Sequence, residues 1–156
     1  MRRTAALIAG GGPAGSVAAL LLARSGTGPL VIERTRGEPD ALCGGFLSWR
    51  TLESLGRIGV VVEGHVVRRV VLFAGQGRSE AMLPAPAIGL SRRRLDTLLR
   101  DHAQAAGVGI ERGVTIRSVE RTILHTGDGA ALTGDTLFLA TGKHDVRGAM
   151  RGAVPG

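Results

Sequence analysis

The sequence of 156 residues is poor in cysteine and in aromatic residues, and both shortages narrow its possible functions. A single cysteine, Cys43, cannot form an intramolecular disulfide or supply a multi-cysteine zinc site. With no tyrosine, one tryptophan and three phenylalanines, few rings are offered to nucleic-acid bases. The arginines behind the net charge of +7 are scattered along the chain. We therefore expect no nucleic-acid partner, although the positive charge favours an anionic small ligand.

Long hydrophobic runs are missing as well. No stretch approaches the roughly 18 apolar residues of a membrane-spanning helix. The apolar N-terminal run ends at Gly10, Gly11, Gly12 and Pro13, before it reaches the length of a signal-peptide core. We therefore expect a cytoplasmic protein without a transmembrane segment, and the sequence does not indicate its oligomeric state.

The hydrophobic pattern predicts an α/β fold. Residues 4–9 form an apolar run typical of a buried parallel strand, residues 13–25 follow a helical period, and residues 29–34 form a second strand. A strand, a helix and a strand in this order make a βαβ unit.

The rest of the chain mixes helices with short strands. Helices are predicted over 48–59, capped by Ser48, and over 91–107, capped by Ser91. Loop 37–47 lies before the first helix, and two strands joined by a Gly75–Gly77 turn lie between the helices. Further strands are predicted at 108–111, 114–120, 122–126, 130–133 and 135–142.

Four glycines and a proline stand between the first strand and the first helix, and three of the glycines form a G-x-G-x-x-G motif. In this setting Gly10 permits a tight turn, Gly12 lets a pyrophosphate approach the backbone, and Gly15 lets the helix pack closely on the sheet. The helix N-terminus adds N–H groups and the positive end of its dipole. Glu33, at the end of the second strand, is placed to accept hydrogen bonds from an adenosine ribose. The motif predicts a dinucleotide site.

The identity of the dinucleotide is only partly determined by this motif. A carboxylate at position 33 would repel a 2′-phosphate, which disfavours NADP. FAD and NAD are both compatible with the glycines and the acid. No histidine shows the spacing of a metal ligand, so we expect no metal.

Three segments together resemble a known family. "IAGGGPAGSVAALLLARSG…VIER", "CGGFLS" and "LSRRRLDTLLRDHAQAAGV" are similar to flavoprotein monooxygenases of the para-hydroxybenzoate hydroxylase type, and most similar to their geranylgeranyl-reductase-like branch. The resemblance implies that residues 1–156 form an FAD-binding Rossmann-like domain, with a parallel sheet, helices on its faces and a β-meander. It also implies that residues 64–87 are a strand pair at the start of the substrate-binding sheet.

The resemblance also implies which residues contact FAD. Gly10, Gly12 and Gly15 match the pyrophosphate turn, and Glu33 matches the ribose acid. Arg92 matches an arginine near the phosphate and ribityl groups, and Cys43–Gly45 match a loop near the isoalloxazine. The complete set of predicted cofactor-binding residues is Gly10, Gly12, Pro13, Ala14, Gly15, Glu33, Arg34, Cys43, Gly44, Gly45, Arg92, Thr141 and Gly142. No catalytic residue is predicted.

The expected function is that of the FAD-binding N-terminal portion of a flavin-dependent oxidoreductase at least twice as long. The parent would be an NAD(P)H-dependent monooxygenase or a double-bond reductase with an aromatic or isoprenoid-type substrate, and the chain alone would be inactive. Two alternatives remain open at this point: an NAD-dependent dehydrogenase domain, and a non-catalytic truncated nucleotide-binding fragment.

Two further groups allow a functional and a plainer interpretation. Cys43 lies near the flavin or is a small buried apolar residue. His144 and Asp145 follow the last strand, and they contact cofactor or substrate or only form hydrogen bonds within their loop.

Overall fold

The structure is a computed structural model and describes residues 2–37, 40–43 and 45–149. The chain divides into two compact units, the first made of Met1–Pro39 and Asp96–Gly156 and the second of Asp40–Leu95. The elements found within the described residues are, in chain order, β1 (Arg2–Ala9), α1 (Pro13–Arg24), β2 (Pro29–Glu33), β3 (Phe46–Leu47), α2 (Trp49–Arg57), β4 (His65–Ala74), β5 (Gly77–Gly89), α3 (Arg92–Ala105), β6 (Gly109–Arg112), β7 (Ile116–Glu120), β8 (Ile123–Thr126) and β9 (Ala131–Leu139).

The first unit is built on a six-stranded sheet in the order β6-β2-β1-β9-β8-β7. The four strands from β6 to β9 pair in parallel, and β7, β8 and β9 pair antiparallel as a meander. Residues Ala6–Ala9 of β1 are all fully buried, as expected for a central parallel strand covered on both faces. The predicted α/β fold with a parallel sheet, helices and a β-meander is confirmed.

The core of the first unit is formed by side chains from five strands of this sheet. Leu7, Ile32, Val119, Leu124 and Leu132 make one buried apolar cluster. After β9 the chain returns to the edge of the sheet, where the Val119 N–H donates to the Arg147 carbonyl. The segment that follows β9 is therefore held against the same core.

The predicted break between strands 130–133 and 135–142 is wrong, because β9 runs without interruption from Ala131 to Leu139. Gly134, which suggests a turn in the sequence, lies buried inside this strand. A Cβ there would stand 2.6 Å from the Thr136 carbonyl oxygen and 2.9 Å from the Leu7 Cβ. This glycine therefore allows a close approach within the sheet, a role that glycine has inside strands.

The second unit contains a three-stranded antiparallel sheet in the order β3-β5-β4. The Gly75–Gly77 turn between β4 and β5 is as predicted, but β5 is longer than expected and β3 lies within the predicted loop 37–47. Pro84 and Pro86 fall where the pairing with β4 shifts register, between Met82 and Ala87. Prolines are tolerated at such irregularities because no ladder hydrogen bond is lost.

The strand pair predicted at residues 64–87 thus lies in a sheet of its own. Its assignment to a substrate-binding sheet stays a prediction. Among the described residues, no helix is both long enough and apolar enough to cross a membrane.

Candidate dinucleotide-binding site

The carboxyl ends of β2, β1 and β9 lie side by side in the first unit. Ala9 pairs with Ile32 on one side and with Leu139 on the other. The segments that follow these strands are Gly10–Gly12, called the glycine turn below, Arg34–Gly37 and Ala140–His144. In open parallel sheets, ligands bind outside this edge.

Gly10 and Gly15 are required by the packing of the protein itself. Gly10 has a φ of +107°, and a Cβ there would stand 2.4 Å from the Ala140 carbonyl oxygen. A Cβ on Gly15 would stand 1.9 Å from the Gly10 carbonyl oxygen. Without side chains at these two positions, α1 packs closely on the turn and the turn packs closely on the segment after β9. This agrees with the predicted tight turn and close helix packing.

Gly12 differs from both because the protein does not require a glycine there. Its φ of −71° and ψ of −173° are extended values that any residue adopts, and a Cβ there would meet nothing within 4 Å. Gly12 also caps α1 at its N-terminus, where Pro13 occupies the first turn and the N–H groups lack partners within the helix. Open space in front of a helix N-terminus suits an anionic group such as a pyrophosphate.

Both carboxylate oxygens of Glu33 accept hydrogen bonds from backbone N–H groups. Oε2 accepts a hydrogen bond from the Gly11 N–H at 2.7 Å, and Oε1 accepts one from the Thr35 N–H at 2.8 Å. Partial burial raises the pKa of Glu33, but the bonds from Gly11 and Thr35, together with the Arg34 charge, outweigh burial and lower that pKa below its ordinary value. The carboxylate is therefore ionised and held at the glycine turn.

Arg34, Thr141 and Gly142 lie at the same edge. The Arg34 Nη2 is 2.6 Å from the His144 Nε2. The Thr141 hydroxyl donates to the His144 carbonyl at 2.6 Å, and Gly142 takes a positive φ of +67°. The structure thus brings together nine of the predicted residues, which are Gly10, Gly12, Pro13, Ala14, Gly15, Glu33, Arg34, Thr141 and Gly142.

The other predicted residues belong to the second unit, and Gly44 lies outside the described residues. The Cys43 thiol is free and exposed, so the interpretation of Cys43 as a small buried residue is wrong. The Gly45 N–H lies 3.5 Å from the Cys43 Sγ. Arg92 begins α3 and is half-buried, and the start of that helix is fixed by Asp40 and Ser91, which accept from the N–H groups of Arg93 and Arg94.

Two contributors to this edge were not among the predicted cofactor-binding residues. Gly11 is buried and donates to Glu33, and a Cβ there would stand 3.1 Å from the Glu33 Cβ. Three glycines in a row were a usable signal for it. His144 does form hydrogen bonds in its loop, as the plainer interpretation predicted, but its contact with Arg34 has no signal in the sequence.

The donor set of this edge fits an adenine dinucleotide. Backbone N–H groups, an open approach at Gly12 and an ionised acceptor at Glu33 match a pyrophosphate and a ribose. Among the described residues, no group of three or more His, Cys, Asp or Glu is placed to hold a metal ion.

This edge and the fold that presents it define a nucleotide-binding domain of the Rossmann-like class. Residues 3–147 match the family model described as an FAD binding domain, and the chain belongs to that family. Its relatives are flavin-dependent oxidoreductases and monooxygenases.

Two curated proteins and one solved structure show what the chain is similar to. The chain is 32% identical to a probable electron transfer flavoprotein-quinone oxidoreductase of Escherichia coli (strain K12), over 96% of this chain and 39% of that protein. It is 37% identical to squalene monooxygenase of Mus musculus, over 51% of this chain and 15% of that protein.

The third is a solved structure, a geranylgeranyl bacteriochlorophyll reductase-like protein from Thermoplasma acidophilum. It superposes with a TM-score of 0.76 at 18% identity, over 90% of this chain and 39% of that one. The chain thus spans about two fifths of the length of the Escherichia coli relative, and a likeness at 18% identity shows the fold alone.

Proposed function

We propose that this chain is the FAD-binding portion of a flavin-dependent oxidoreductase, and that the edge formed by the glycine turn, Glu33 and Arg34 holds the ADP half of FAD. The observation that carries the proposal is Gly12, a glycine that neither its backbone conformation nor its packing requires. A Cβ at that position would enter open space next to the α1 N-terminus, which Gly12 caps.

Different residues of the first unit would bind the pyrophosphate and the ribose of FAD. The backbone N–H groups of Ala14 and Gly15 lie in the first turn of α1 and would donate to the pyrophosphate. Glu33 is ionised and would accept from the ribose hydroxyls. Its two bonds to Gly11 and Thr35 fix its position without using all of its lone pairs. Thr141 and Gly142 would contact the pyrophosphate from the segment after β9.

The residues of the second unit carry the remainder of the proposal. Cys43, Gly44 and Gly45 would lie near the isoalloxazine, and Arg92 would contact the phosphate or ribityl region. When bound, FAD supplies hydride and oxygen chemistry, while the protein orients it and sets its electrostatic surroundings.

The parent reaction is proposed as NAD(P)H-dependent monooxygenation or double-bond reduction. The names of the relatives mention a quinone, squalene and a geranylgeranyl group. The names of other similar structures mention 2-aminobenzoylacetate and 2-methyl-3-hydroxypyridine-5-carboxylic acid, so the proposal keeps both an isoprenoid-type and an aromatic substrate. These names do not favour reduction over hydroxylation, which we leave as two forms of one proposal.

The test uses the absorbance of the purified chain after incubation with FAD and removal of free cofactor. Bound FAD absorbs between 350 and 500 nm and NAD does not. Gly12→Val should abolish the retained absorbance because its side chain fills the space that the pyrophosphate needs.

The matched control is Gly28→Val. A Cβ on Gly28 would also meet nothing within 4 Å, and Gly28 has no positive φ, but it precedes β2 at the opposite end of the strand. This variant should retain FAD like the wild type. If Gly12→Val folds and retains FAD equally well, the glycine turn has only a structural role and the proposal is wrong.

A further inference from the structure

One hydrogen bond crosses the carboxyl end of β1. Arg34 follows β2 and His144 follows β9, and these two strands flank β1 in the sheet. With neighbouring strands about 4.8 Å apart, the two strands are roughly 10 Å from each other. The 2.6 Å contact between Arg34 Nη2 and His144 Nε2 therefore bridges the edge at which the glycine turn begins.

The chemistry of this contact fixes the state of His144. A guanidinium has only N–H donors, so the His144 Nε2 must be the acceptor and the imidazole must be neutral, with its proton on Nδ1. The backbone of His144 is itself held, because its carbonyl accepts from the Thr141 hydroxyl and its N–H donates to the Thr141 carbonyl at 3.4 Å. The acceptor for Arg34 is thus supplied by a closed turn.

The contact matters because Arg34 is exposed and its side chain is otherwise free to rotate. An arginine side chain carries about 2 kcal/mol of rotamer entropy, which a ligand would have to overcome if it ordered the guanidinium by itself. The contact with His144 orders the guanidinium at this edge of the sheet before a ligand binds. Preorganised donors of this kind are strong partners for phosphate oxygens.

Resting on the proposed function, we propose that His144 is a positioning residue that holds the Arg34 guanidinium over the glycine turn as a contact for the pyrophosphate of an adenine dinucleotide. His144 acts through Arg34 and does not itself need to touch the ligand. The charged residues that flank this contact along the chain are Glu33, at the end of β2, and Lys143 and Asp145, on either side of His144.

The experiment measures ADP and adenosine binding to the 156-residue chain by titration calorimetry at pH 8. The proteins are the wild type, His144→Ala, Arg34→Ala and the double variant. His144→Ala should weaken ADP binding about three- to tenfold, the range expected for one lost hydrogen bond. The double variant should bind ADP no more weakly than Arg34→Ala, and adenosine, which lacks phosphates, should bind all four proteins within about twofold.

Two further variants separate positioning from general charge and from simple loss of structure. In His144→Gln the side-chain amide oxygen can still accept from Arg34, so ADP binding should be restored to within about twofold of the wild type. Lys143→Ala removes a neighbouring charge without removing the contact. In this background the losses of ADP binding caused by Arg34→Ala and His144→Ala should still be non-additive.

Additive losses for the two single variants, unchanged ADP binding in His144→Ala, or an equal loss for adenosine would each overturn the positioning role. These results leave the proposed function standing if the wild type binds ADP. A wild-type chain that folds but binds neither ADP nor FAD overturns the proposed function, and the positioning role with it.

Discussion

The glycines that follow β1 are present for different physical reasons. Single substitutions among them can therefore separate an effect on folding from an effect on ligand binding. Gly10 and Gly15 touch each other and the segment after β9, and neither position has room for a Cβ. Gly12 has room and an ordinary backbone conformation. A substitution at Gly15 should therefore affect folding, and one at Gly12 should affect binding.

We expect Gly15→Ala to lower the free energy of unfolding by about 1–3 kcal/mol, the usual cost of forcing an extra methyl group into a packed site. Gly12→Ala should change it by less than about 0.5 kcal/mol, because nothing surrounds that position. Denaturant unfolding of both variants beside the wild type measures the difference. Equal stability of the two variants would contradict the assignment of separate reasons.

Glu33 makes the stability of the fold depend on pH in the acidic range. Its folded pKa lies below its ordinary value of 4.5, so the ionised carboxylate stabilises the fold above about pH 4.5, and that contribution is lost as the pH falls through the folded pKa. Asp128 also has a lowered pKa, through bonds from the Thr126 hydroxyl and the Ala130 N–H. Asp128 is present in both proteins of the comparison below, and its contribution cancels.

We expect Glu33→Gln to be less stable than the wild type by about 1 kcal/mol at pH 7, the lower end for bonds to a partly exposed charged group. The difference should shrink as the pH is lowered below 4.5, because the wild-type carboxyl then loses its charge as well. Unfolding free energies measured from pH 7 to pH 3 test this. A difference that stays constant over this range would show that Glu33 does not titrate with folding.

At the scale of elements, the helices begin where the sequence indicated. Ser48 precedes α2, and its hydroxyl oxygen accepts a hydrogen bond from the Thr51 N–H at 3.3 Å. This bond satisfies one of the four N–H groups that a helix leaves without partners at its start. Ser54 lies inside the same helix and instead donates its hydroxyl to the Arg50 carbonyl.

We expect Ser48→Ala to cost about 1 kcal/mol of stability, whereas Ser54→Ala should be neutral or slightly stabilising, because alanine is the better residue inside a helix. The two variants remove the same hydroxyl from the same helix, so each is the control for the other. Thermal unfolding distinguishes them. A larger loss for Ser54→Ala would contradict the capping role.

The strand pair of the second unit presents apolar side chains to solvent. Leu72 is 64% exposed, Phe73 is 74% exposed and Met82 is 69% exposed. On the other hand, Arg69 and Arg78 both bind Glu80 at 2.7 and 2.6 Å, so the pair also carries a small network of charges. Exposed apolar residues near a strand edge favour association between chains.

We expect the chain to self-associate, and the double variant Leu72→Thr, Phe73→Thr to reduce that association while keeping β propensity. Ser79→Thr, on the strand opposite Leu72, is the control because it changes a strand residue without removing apolar surface. Sedimentation velocity at several protein concentrations measures the effect. Unchanged association in the double variant would show that Leu72 and Phe73 do not form the surface through which the chains associate.

At the scale of the whole molecule, the predicted contacts with FAD are uneven. Nine of the predicted residues gather at the edge proposed for the ADP half, and the isoalloxazine is assigned only the segment around Cys43–Gly45. We therefore expect FAD and ADP to bind this chain with similar affinities, as titration calorimetry with both ligands will show. FAD binding tenfold or more tightly, about 1.4 kcal/mol, would mean that these residues already form a proper pocket for the flavin ring.

The sequence by itself determined the features that depend on neighbours along the chain. The βαβ unit, the glycine turn, the Gly75–Gly77 turn and the caps at Ser48 and Ser91 each follow from the residue types within one or two turns of backbone. The same local patterns predicted that Glu33 would lie at the end of the second strand. These local patterns left FAD and NAD both open, and FAD was inferred from the resemblance of three segments to a flavoprotein family.

Only the tertiary structure decided which distant segments meet. Gly134 reads as a break in the sequence but continues β9, because β1 pairs along that strand and brings Leu7 against it. The Arg34 contact joins residues 110 positions apart, and the open space at Gly12 exists because the turn and the helix leave it empty. These features arise from the order of strands across a sheet, and strand order depends on packing between residues that are far apart in the chain.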